Sequence, residues 1–343
     1  MGSTSIEWTD RTWNPVTGCT KVSPGCAHCY AETIAKRLWS TSYSPVACEV
    51  GDPREAVRDA ARVHLLGNSG QPGLRFREFT DVRTHEDRLL APLSWRKPAR
   101  IFVNSMSDLF HEDVPDPFIL GVMDVIRQCP RHTFQVLTKR PARMRDLMSR
   151  LRFDYTGDGR MWLADAVALD RDRQPISFAR LLKNLWLGVS VENQHFADER
   201  IPLLLRTPAA VRFISAEPLL GGIDVARFLD CGWGCRDNAA EKHTLDWVIV
   251  GGESGPQARA CDVAWVRSIV QQCRAAGVAV FAKQLGARPY VDEDLGGGRY
   301  REARDRSGYE LALKDRKGGD PVEWPEDLRV REFPPPAPVE ALA

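Results

Sequence analysis

The amino-acid sequence predicts an α/β protein built as a partial or full (β/α) barrel of parallel strands. Strands buried on both faces of a parallel sheet read as almost unbroken apolar runs. Six such runs, each closed by polar or glycine residues, are Ile101–Asn104, Thr133–Thr138, Leu185–Val191, Val211–Ala216, Trp247–Gly251 and Val278–Lys283. Their starts lie 32, 52, 26, 36 and 31 residues apart, and most of these intervals fit one strand plus one crossover helix.

Helical segments fit between the predicted strands. Apolar residues recur at three- and four-residue intervals in Pro117–Cys129, Ala142–Leu151 and Ala264–Ala276, which is the pattern of a helix that buries one face. A seventh short strand is predicted around Trp13–Val16, before a group of three cysteines. Alternating strands and helices of this kind favour a sheet covered by helices.

Three regions lie outside this repeat. Residues 40–98 hold clusters of glycine, proline and charge, and residues 153–179 account for the one long interval between strands. We therefore expect a barrel over residues 1–288 that carries two insertions, at about 40–98 and 153–179. Residues 289–343 are expected to form a small C-terminal extension and a tail.

The charge balance excludes a strong global field. The chain has 343 residues, with 47 Lys+Arg against 46 Asp+Glu, so its formal net charge is +1. Any nucleic acid or anionic membrane would have to be recognised by a local patch. No apolar run approaches the roughly 18 residues of a membrane-spanning helix, and Met1–Asp10 lacks the basic-then-apolar pattern of a signal peptide. We expect a soluble cytoplasmic protein with no membrane partner.

Three of the nine cysteines lie close together in the sequence. Cys19, Cys26 and Cys29 fall within eleven residues, in the spacing C-x6-C-x2-C. In a reducing compartment a tight group of thiols indicates metal ligation rather than disulfides. Three thiolates hold three irons of a [4Fe-4S] cluster and leave the fourth iron open to an exogenous ligand.

A structural zinc site is the alternative, because C-x2-C pairs also bind zinc. Zinc normally needs a fourth protein ligand, and His28 stands between two of the cysteines, where it is poorly placed to turn inward with them. Cys48, Cys231 and Cys235 are distant in sequence. The last two would form a second metal site or simply pack as small apolar residues.

Polar residues follow the predicted strands at one end only. In an α/β barrel the reacting groups collect at the carboxyl ends of the strands. The candidate site residues at these positions are Asn104, Ser105, Asp108, Thr138, Lys139, Ser190, Glu192, Glu217, Glu253, Lys283 and Gln284. Solvated loops also place polar residues after strands, but a complete set at one end favours a functional edge.

Sequence blocks along nearly the whole chain carry a resemblance to a known family. They are Ile6–Asp10, Thr12–Cys19, Gly25–Glu32, Asn104–His111, Leu137–Pro141, Gly188–Glu192, Ser215–Leu220, Gly251–Gly255, Lys283–Gln284 and Trp324–Leu328. Together they resemble a phage-associated protein family of unknown function with a three-cysteine motif, which is related to radical S-adenosylmethionine (SAM) enzymes. The first gap between the cysteines is longer than is usual in that superfamily.

The resemblance implies a radical-SAM-like barrel of the TIM type, with a [4Fe-4S] cluster on Cys19, Cys26 and Cys29 and SAM on the open iron. Reductive cleavage of SAM would give methionine and a 5′-deoxyadenosyl radical, which abstracts hydrogen from a substrate. The resemblance also implies three partners: an electron donor such as a flavodoxin or ferredoxin, a nucleic acid or nucleotide substrate, and a separately encoded partner protein.

Strand order then assigns expected roles to the polar edge. The assignments are Asn104, Ser105 and Asp108 for the amino-acid end of SAM, Thr138 and Lys139 for its carboxylate, Ser190 and Glu192 for the ribose hydroxyls, and Glu217, Glu253, Lys283 and Gln284 for the substrate.

Two other function classes stay open at this point. The first is a zinc-containing nucleic-acid-binding protein without catalysis. Its phosphate contacts would come from Lys36, Arg37, Arg140, Arg143 and Arg145. The second is a barrel hydrolase that uses Glu217 and Glu253 as an acid and base pair.

Overall fold

The structure is a computed structural model of the chain. It describes residues 4–39, 43–45, 74–155, 161–165, 176–177, 182–230, 244–291, 300–302 and 309–335. Cys48 lies outside the described residues, and so does the second metal site considered for Cys231 and Cys235.

Strands and helices alternate along most of the described chain. The strands are β1 (Arg11–Trp13), β2 (Val16–Thr17), β3 (Tyr43–Pro45), β4 (Leu74–Phe76), β5 (Arg83–Thr84), β6 (Arg100–Val103), β7 (Thr133–Thr138), β8 (Leu151–Tyr155), β9 (Met161–Asp165), β10 (Ile176–Ser177), β11 (Leu185–Ser190), β12 (Val211–Ala216), β13 (Trp247–Gly251), β14 (Cys261–Asp262), β15 (Ala279–Gln284), β16 (Pro289–Val291), β17 (Tyr300–Glu302) and β18 (Tyr309–Leu311). The helices are α1 (Tyr30–Leu38), α2 (Glu86–Leu89), α3 (Asp116–Gln128), α4 (Pro141–Arg150), α5 (Gln194–Leu205), α6 (Ala226–Leu229) and α7 (Val263–Ala276).

Seven parallel strands form one curled sheet, a half-barrel, in the order β1-β6-β7-β11-β12-β13-β15. Every neighbouring pair in this sheet is parallel, so all seven carboxyl ends lie at the same edge. The six predicted strands are confirmed, and the predicted seventh strand corresponds to β1, which begins two residues earlier than expected. The partial form of the predicted barrel is therefore confirmed.

The three helices predicted from apolar spacing are also confirmed, with ends that differ by at most one residue. They are α3, α4 and α7. Their apolar stripes pack against the outer face of the sheet, where residues such as Ile101, Phe134 and Val248 are fully buried. Among the helices that the structure describes, none has the length and apolar character needed to cross a bilayer.

The inner face of the half-barrel is filled by aromatic side chains at its amino-terminal end. Trp186, Phe213, Trp247 and Phe281, which come from four different strands of the sheet, form one buried cluster. Their ring centroids lie 5.5–6.2 Å from that of Trp247, mostly in edge-to-face geometry. This packing closes the amino-terminal end and leaves the polar residues at the opposite end of the strands.

Both ends of the chain complete this inner cluster. Trp8 lies 4.6 Å from Phe102 and 6.3 Å from Trp247, measured between ring centroids. Residues 330–332 run along the free edge of β15, where the N–H of Ala282 donates to the carbonyl of Val330. Phe333 then packs 5.3 Å from Trp247. The C-terminal segment therefore contributes to the half-barrel itself.

The insertions predicted from the sequence contribute strands to small separate sheets. In the first insertion β3 pairs with β4, and β5 pairs with β2, which precedes the cysteine loop. In the second, β10, β8 and β9 form an antiparallel sheet of their own. In the C-terminal extension β16, β17 and β18 join β14. None of these strands enters the seven-stranded sheet, within the part of the chain that the structure describes.

We predict that Gly188→Ala destabilises the fold by about 1–3 kcal/mol, as overpacking of a core does. A methyl group on Gly188 of β11 would lie 2.5–2.7 Å from the ring of Phe213, which is fully buried and cannot move away. Gly221→Ala is the control, because its methyl group would meet nothing closer than 3.6 Å. Urea unfolding curves of the two variants should differ by that amount, and equal midpoints would contradict the packing described.

Candidate functional site

The three cysteines lie on one loop that joins β2 to α1. The loop contains a single 3-10 turn, Pro24–Cys26, and Cys29 is the residue directly before α1. All three cysteines are partly buried and none is in a disulfide. The loop lies at the carboxyl edge of the half-barrel because β1 and β6 pair in register immediately before it.

Each cysteine thiol has a different polar neighbour. Nη1 of Arg140 lies 3.6 Å from Cys19 Sγ, and Oγ of Ser23 lies 3.7 Å from Cys26 Sγ. The N–H groups at the start of α1 face Cys29. The three thiols therefore sit in distinct electrostatic surroundings.

Burial dominates the acidity of two of the thiols. It raises the pKa of Cys19 to about 11, with a further upward contribution from Asp108, against the lowering effect of Arg140. Burial also raises the pKa of Cys29, and the N–H groups of Glu32 and Ala31 act in the opposite direction. Without a bound cation both side chains are therefore held as neutral thiols at neutral pH.

The described ranges contain no group of three or more His, Cys, Asp or Glu side chains that could hold a metal ion, the three cysteines included.

Glu192 connects the cysteine loop to the sheet. Its side chain has no exposed surface, and it accepts charge-assisted contacts from Lys139 Nζ at 2.7 Å and Arg200 Nη1 at 3.3 Å. From the cysteine loop, Ser23 Oγ donates to Oε1 of Glu192 at 2.8 Å. Gly25 packs so closely on the carboxylate that a methyl group there would lie 2.5 Å from Glu192 Cγ.

Two further residues of the loop, Thr20 and Pro24, attach it to the strand ends. Thr20 Oγ1 lies 2.7 Å from Arg140 Nη2 and 2.8 Å from His111 Nε2. The carbonyl of Pro24 accepts from Arg259 Nη1 at 3.0 Å. Together with the Ser23 contact, these bonds tie the loop to the segments that follow β6, β7, β11 and β13.

Asp108 organises the adjoining strand ends. Its Oδ1 accepts from Thr138 Oγ1 at 2.7 Å, and its Oδ2 accepts from the N–H of Lys139 at 3.0 Å and from Arg140 Nη1 at 3.3 Å. The N–H of Phe110 donates to Oδ1 as well. Two of the residues predicted to bind SAM, Asp108 and Thr138, are thus bonded to each other.

Asn104 and Ser105 stand at the end of β6. Asn104 Oδ1 accepts from the N–H of Val16 at 3.2 Å, while its Nδ2 is buried and has no hydrogen-bond partner among the described residues. Asn104 is held at a φ of 61°, in the left-handed region that asparagine adopts more readily than most residues other than glycine. Ser105 Oγ donates to Asn14 Oδ1 at 3.2 Å.

On the other side of the edge, Glu217 and Lys283 form an ion pair of 3.1 Å. Glu217 follows β12 and Lys283 is the next-to-last residue of β15, so the pair spans the end of β13, where Gly251 has no side chain. Ser215 Oγ donates to the second oxygen of Glu217 at 3.1 Å. The pair is partly accessible, with side-chain exposures of 23% for Lys283 and 13% for Glu217.

Glu253 is held by a guanidinium. Arg259 contacts both oxygens, Oε1 at 2.6 Å and Oε2 at 2.8 Å. Burial acts to raise the pKa of Glu253, but the bonds from Arg259 outweigh it and the pKa is lowered. Gln284 Nε2 donates to the carbonyl of Gly252 at 2.8 Å and so fixes the backbone before Glu253.

A family described as protein of unknown function (DUF5131) matches residues 3–311. The chain belongs to this family. The matched residues include the cysteine loop, the seven-stranded sheet and all the strand-end residues predicted from the sequence. No curated protein and no solved structure matches the chain.

In this family member the structure brings the predicted residues together in small bonded sets at one edge. Lys139 meets Glu192, Glu217 meets Lys283, and Ser190 contributes its carbonyl to Arg200 at 2.8 Å.

Sequence reasoning missed Arg200, Arg259 and Ser23. It considered Arg140 only as a phosphate contact. Arg140 directly follows a predicted strand, so its position in the sequence could have identified it as a site residue. Arg200 lies on a helix, and nothing in the sequence indicates that it is buried.

We predict that Arg200→Met destabilises this family member by about 3 kcal/mol, because breaking a buried ion pair leaves a charge with less compensation. Arg200 is 2% exposed beside the fully buried Glu192. The matched control is Arg227→Met, whose pair with Asp198 is 60% and 47% exposed and should cost less than about 1 kcal/mol. Urea unfolding measures the stability of both variants. If Arg200→Met loses no more stability than Arg227→Met, the burial of the Arg200–Glu192 pair is contradicted.

Proposed function

We propose that this chain is a radical SAM enzyme that binds a [4Fe-4S] cluster through Cys19, Cys26 and Cys29. The observation that carries the proposal is the attachment of the three-cysteine loop to four strand ends of one parallel half-barrel. In α/β barrels this is the edge where reacting groups collect. Three sulfur ligands are therefore held beside the polar residues of that edge.

The donor set suits such a cluster. Thiolate sulfur is the usual protein ligand of such a cluster, and hydrogen bonds to the ligating sulfurs are one means by which a protein sets the reduction potential of the cluster. Arg140 and Ser23 supply such contacts to Cys19 and Cys26. The three thiolates would each bind a different iron, so they would not need to converge on one point as the ligands of a single zinc ion must.

The chemistry that this group supplies when bound is one-electron reduction of SAM, which starts radical chemistry on a second substrate. The chain itself would bind SAM, orient it and exclude water. The buried, unpartnered Nδ2 of Asn104 supports a binding role, because a carboxylate oxygen of SAM would satisfy it. Ser105 and Asp108 would shape the same amino-acid end, with Thr138 and Lys139 beside the carboxylate.

The remaining edge residues keep the roles that strand order assigns. Ser190 and Glu192 would bond the ribose hydroxyls, and Lys139 Nζ pairs with the buried Glu192 carboxylate at 2.7 Å. On the far side, Glu217 and Lys283 offer an acceptor and a donor to the substrate. Glu253 and Gln284 complete that side of the edge.

The partners in this proposal come from the sequence resemblance. They are an electron donor such as a flavodoxin or ferredoxin, a nucleic acid or nucleotide substrate, and a separately encoded partner protein. Phage association and a cytoplasmic location belong to the same proposal. The cysteine usage supports a reducing compartment, because the three thiols of the loop are free.

The geometry gives less support to the two alternatives. A barrel hydrolase needs a carboxylic acid with a raised pKa, whereas Arg259 lowers the pKa of Glu253 and Lys283 pairs with Glu217. A zinc-containing nucleic-acid-binding protein needs a convergent ligand set, and the described residues do not supply one. Of its proposed phosphate contacts, Arg140 and Arg143 are bonded to this chain's own acceptors.

Replacing any one of Cys19, Cys26 or Cys29 by alanine should abolish a stable cluster after anaerobic reconstitution, because one iron then loses its ligand. The controls are Cys129→Ala and Cys273→Ala, which remove fully buried thiols packed in the core. Each control should keep its iron and lose at most about 1–2 kcal/mol of stability. Iron and sulfide analysis decides the matter: iron retained by Cys26→Ala would contradict the proposed ligand set.

The reduced, cluster-loaded protein should cleave SAM slowly even without substrate and release 5′-deoxyadenosine, which chromatography detects. The Cys26→Ala protein is the negative control. Intact SAM after prolonged reduction of fully loaded protein would contradict the proposed function. Zinc in place of iron would favour the nucleic-acid-binding alternative, and a metal-free active protein would favour the hydrolase.

A further inference from the structure

Arg140 uses all of its hydrogen-bond donors between the cysteine loop and the segment that follows β6. Its Nε donates to Glu112 Oε2 at 2.8 Å, and its Nη2 donates to the carbonyl of Thr20 at 3.3 Å and to Thr20 Oγ1 at 2.7 Å. Its Nη1 contacts Asp108 Oδ2 at 3.3 Å and Cys19 Sγ at 3.6 Å. A guanidinium has five N–H donors, so these five contacts fix its position completely.

The placement gives Cys19 a neighbour unlike those of the other two cysteines. Cys26 has a hydroxyl beside it, and Cys29 has backbone N–H groups. Cys19 has a guanidinium, which carries a full positive charge at every accessible pH. The side chain of Arg140 is 10% exposed, so water screens this charge poorly.

Two carboxylates lie beside Arg140, and they offset its positive charge at the Cys19 sulfur to different extents. Glu112 is 62% exposed and contacts Nε, on the far side of the guanidinium from Cys19. Asp108 is 8% exposed and shares Nη1 with the sulfur, while Thr138 and the N–H of Lys139 also stabilise its charge. Removal of Arg140 would take away the positive charge that Asp108 Oδ2 and Cys19 Sγ both contact, and would leave the negative charge of Asp108.

We propose that Arg140 is a positioning residue that holds a positive charge and an N–H donor on Cys19, and thereby raises the reduction potential of the cluster that Cys19 ligates. Reduction adds one negative charge to an iron–sulfur cluster, and hydrogen bonds and charge at the ligating sulfur are what set its potential. This inference rests on the proposed function, because it presupposes the cluster.

The test is an EPR-monitored redox titration of the anaerobically reconstituted full chain, without SAM. Arg140→Gln should shift the midpoint potential to a more negative value, because the charge is removed and Asp108 is left beside the sulfur. Arg140→Lys keeps the positive charge but lacks the branched guanidinium whose Nη1 reaches Cys19. Its potential should lie between those of Arg140→Gln and the unaltered protein.

Arg143→Gln is the matched control. Arg143 lies on α4, which begins directly after Arg140, and it bonds the carbonyls of His111 and Val114 and the carboxylate of Asp116. Its substitution should leave the midpoint potential unchanged. This variant separates loss of a hydrogen-bonded arginine near the cysteine loop from loss of the contact with Cys19.

An unchanged potential in Arg140→Gln with full iron content would overturn the inference and leave the proposed function intact. If Arg140→Gln holds no cluster, Arg140→Lys decides, and a potential at or above that of the unaltered protein overturns the inference. An unaltered protein that takes up no iron is the distinct outcome that defeats the proposed function itself.

Discussion

The buried carboxylate of Glu192 is the interaction on which the site depends. An unpaired carboxylate with no exposed surface would cost several kcal/mol, so its stability requires Lys139 from the end of β7 and Arg200 from α5. The same group accepts from Ser23 and is covered by Gly25 of the cysteine loop. The loop therefore reaches its position only against an assembled sheet. The positions of the three thiols are thus a consequence of the fold, and the proposed binding of a cluster would be coupled to folding.

The seven-stranded sheet was predictable because its strands are buried on both faces. All six residues of β11 are buried, and such a run is apolar without interruption. The intervals between runs then indicate the crossover helices. The shortest elements were not predictable, because strands of two or three residues carry no periodicity: the pairing of β2 with β5 is one case. The segment that runs through Phe333, along β15 and over the inner aromatic cluster, is a second element that was not predictable.

The site was predictable in position and not in its pairings. Strand ends locate Asp108, Glu192, Glu217 and Glu253 at one edge, since parallel strands all end there. Which cation meets each carboxylate depends on how helices and loops pack. Arg200 comes from a helix that looks ordinary in sequence, and Arg259 comes from a loop. Thr138 and Gln284 gave the same strand-end signal as the others, yet their side chains bond the chain's own Asp108 and Gly252. Residue type and position in the sequence therefore do not show which strand-end side chains bond other groups of the same chain.

The proposed function requires that Cys19, Cys26 and Cys29 hold a cluster in which one iron is left open for SAM. Mössbauer spectroscopy of anaerobically reconstituted, iron-57-labelled protein tests it most directly, with spectra recorded before and after addition of SAM. We expect a [4Fe-4S] spectrum in which one iron site differs from the others and changes when SAM is added, because that iron has no thiolate from the chain. A cluster spectrum with equivalent iron sites that SAM leaves unchanged would contradict it.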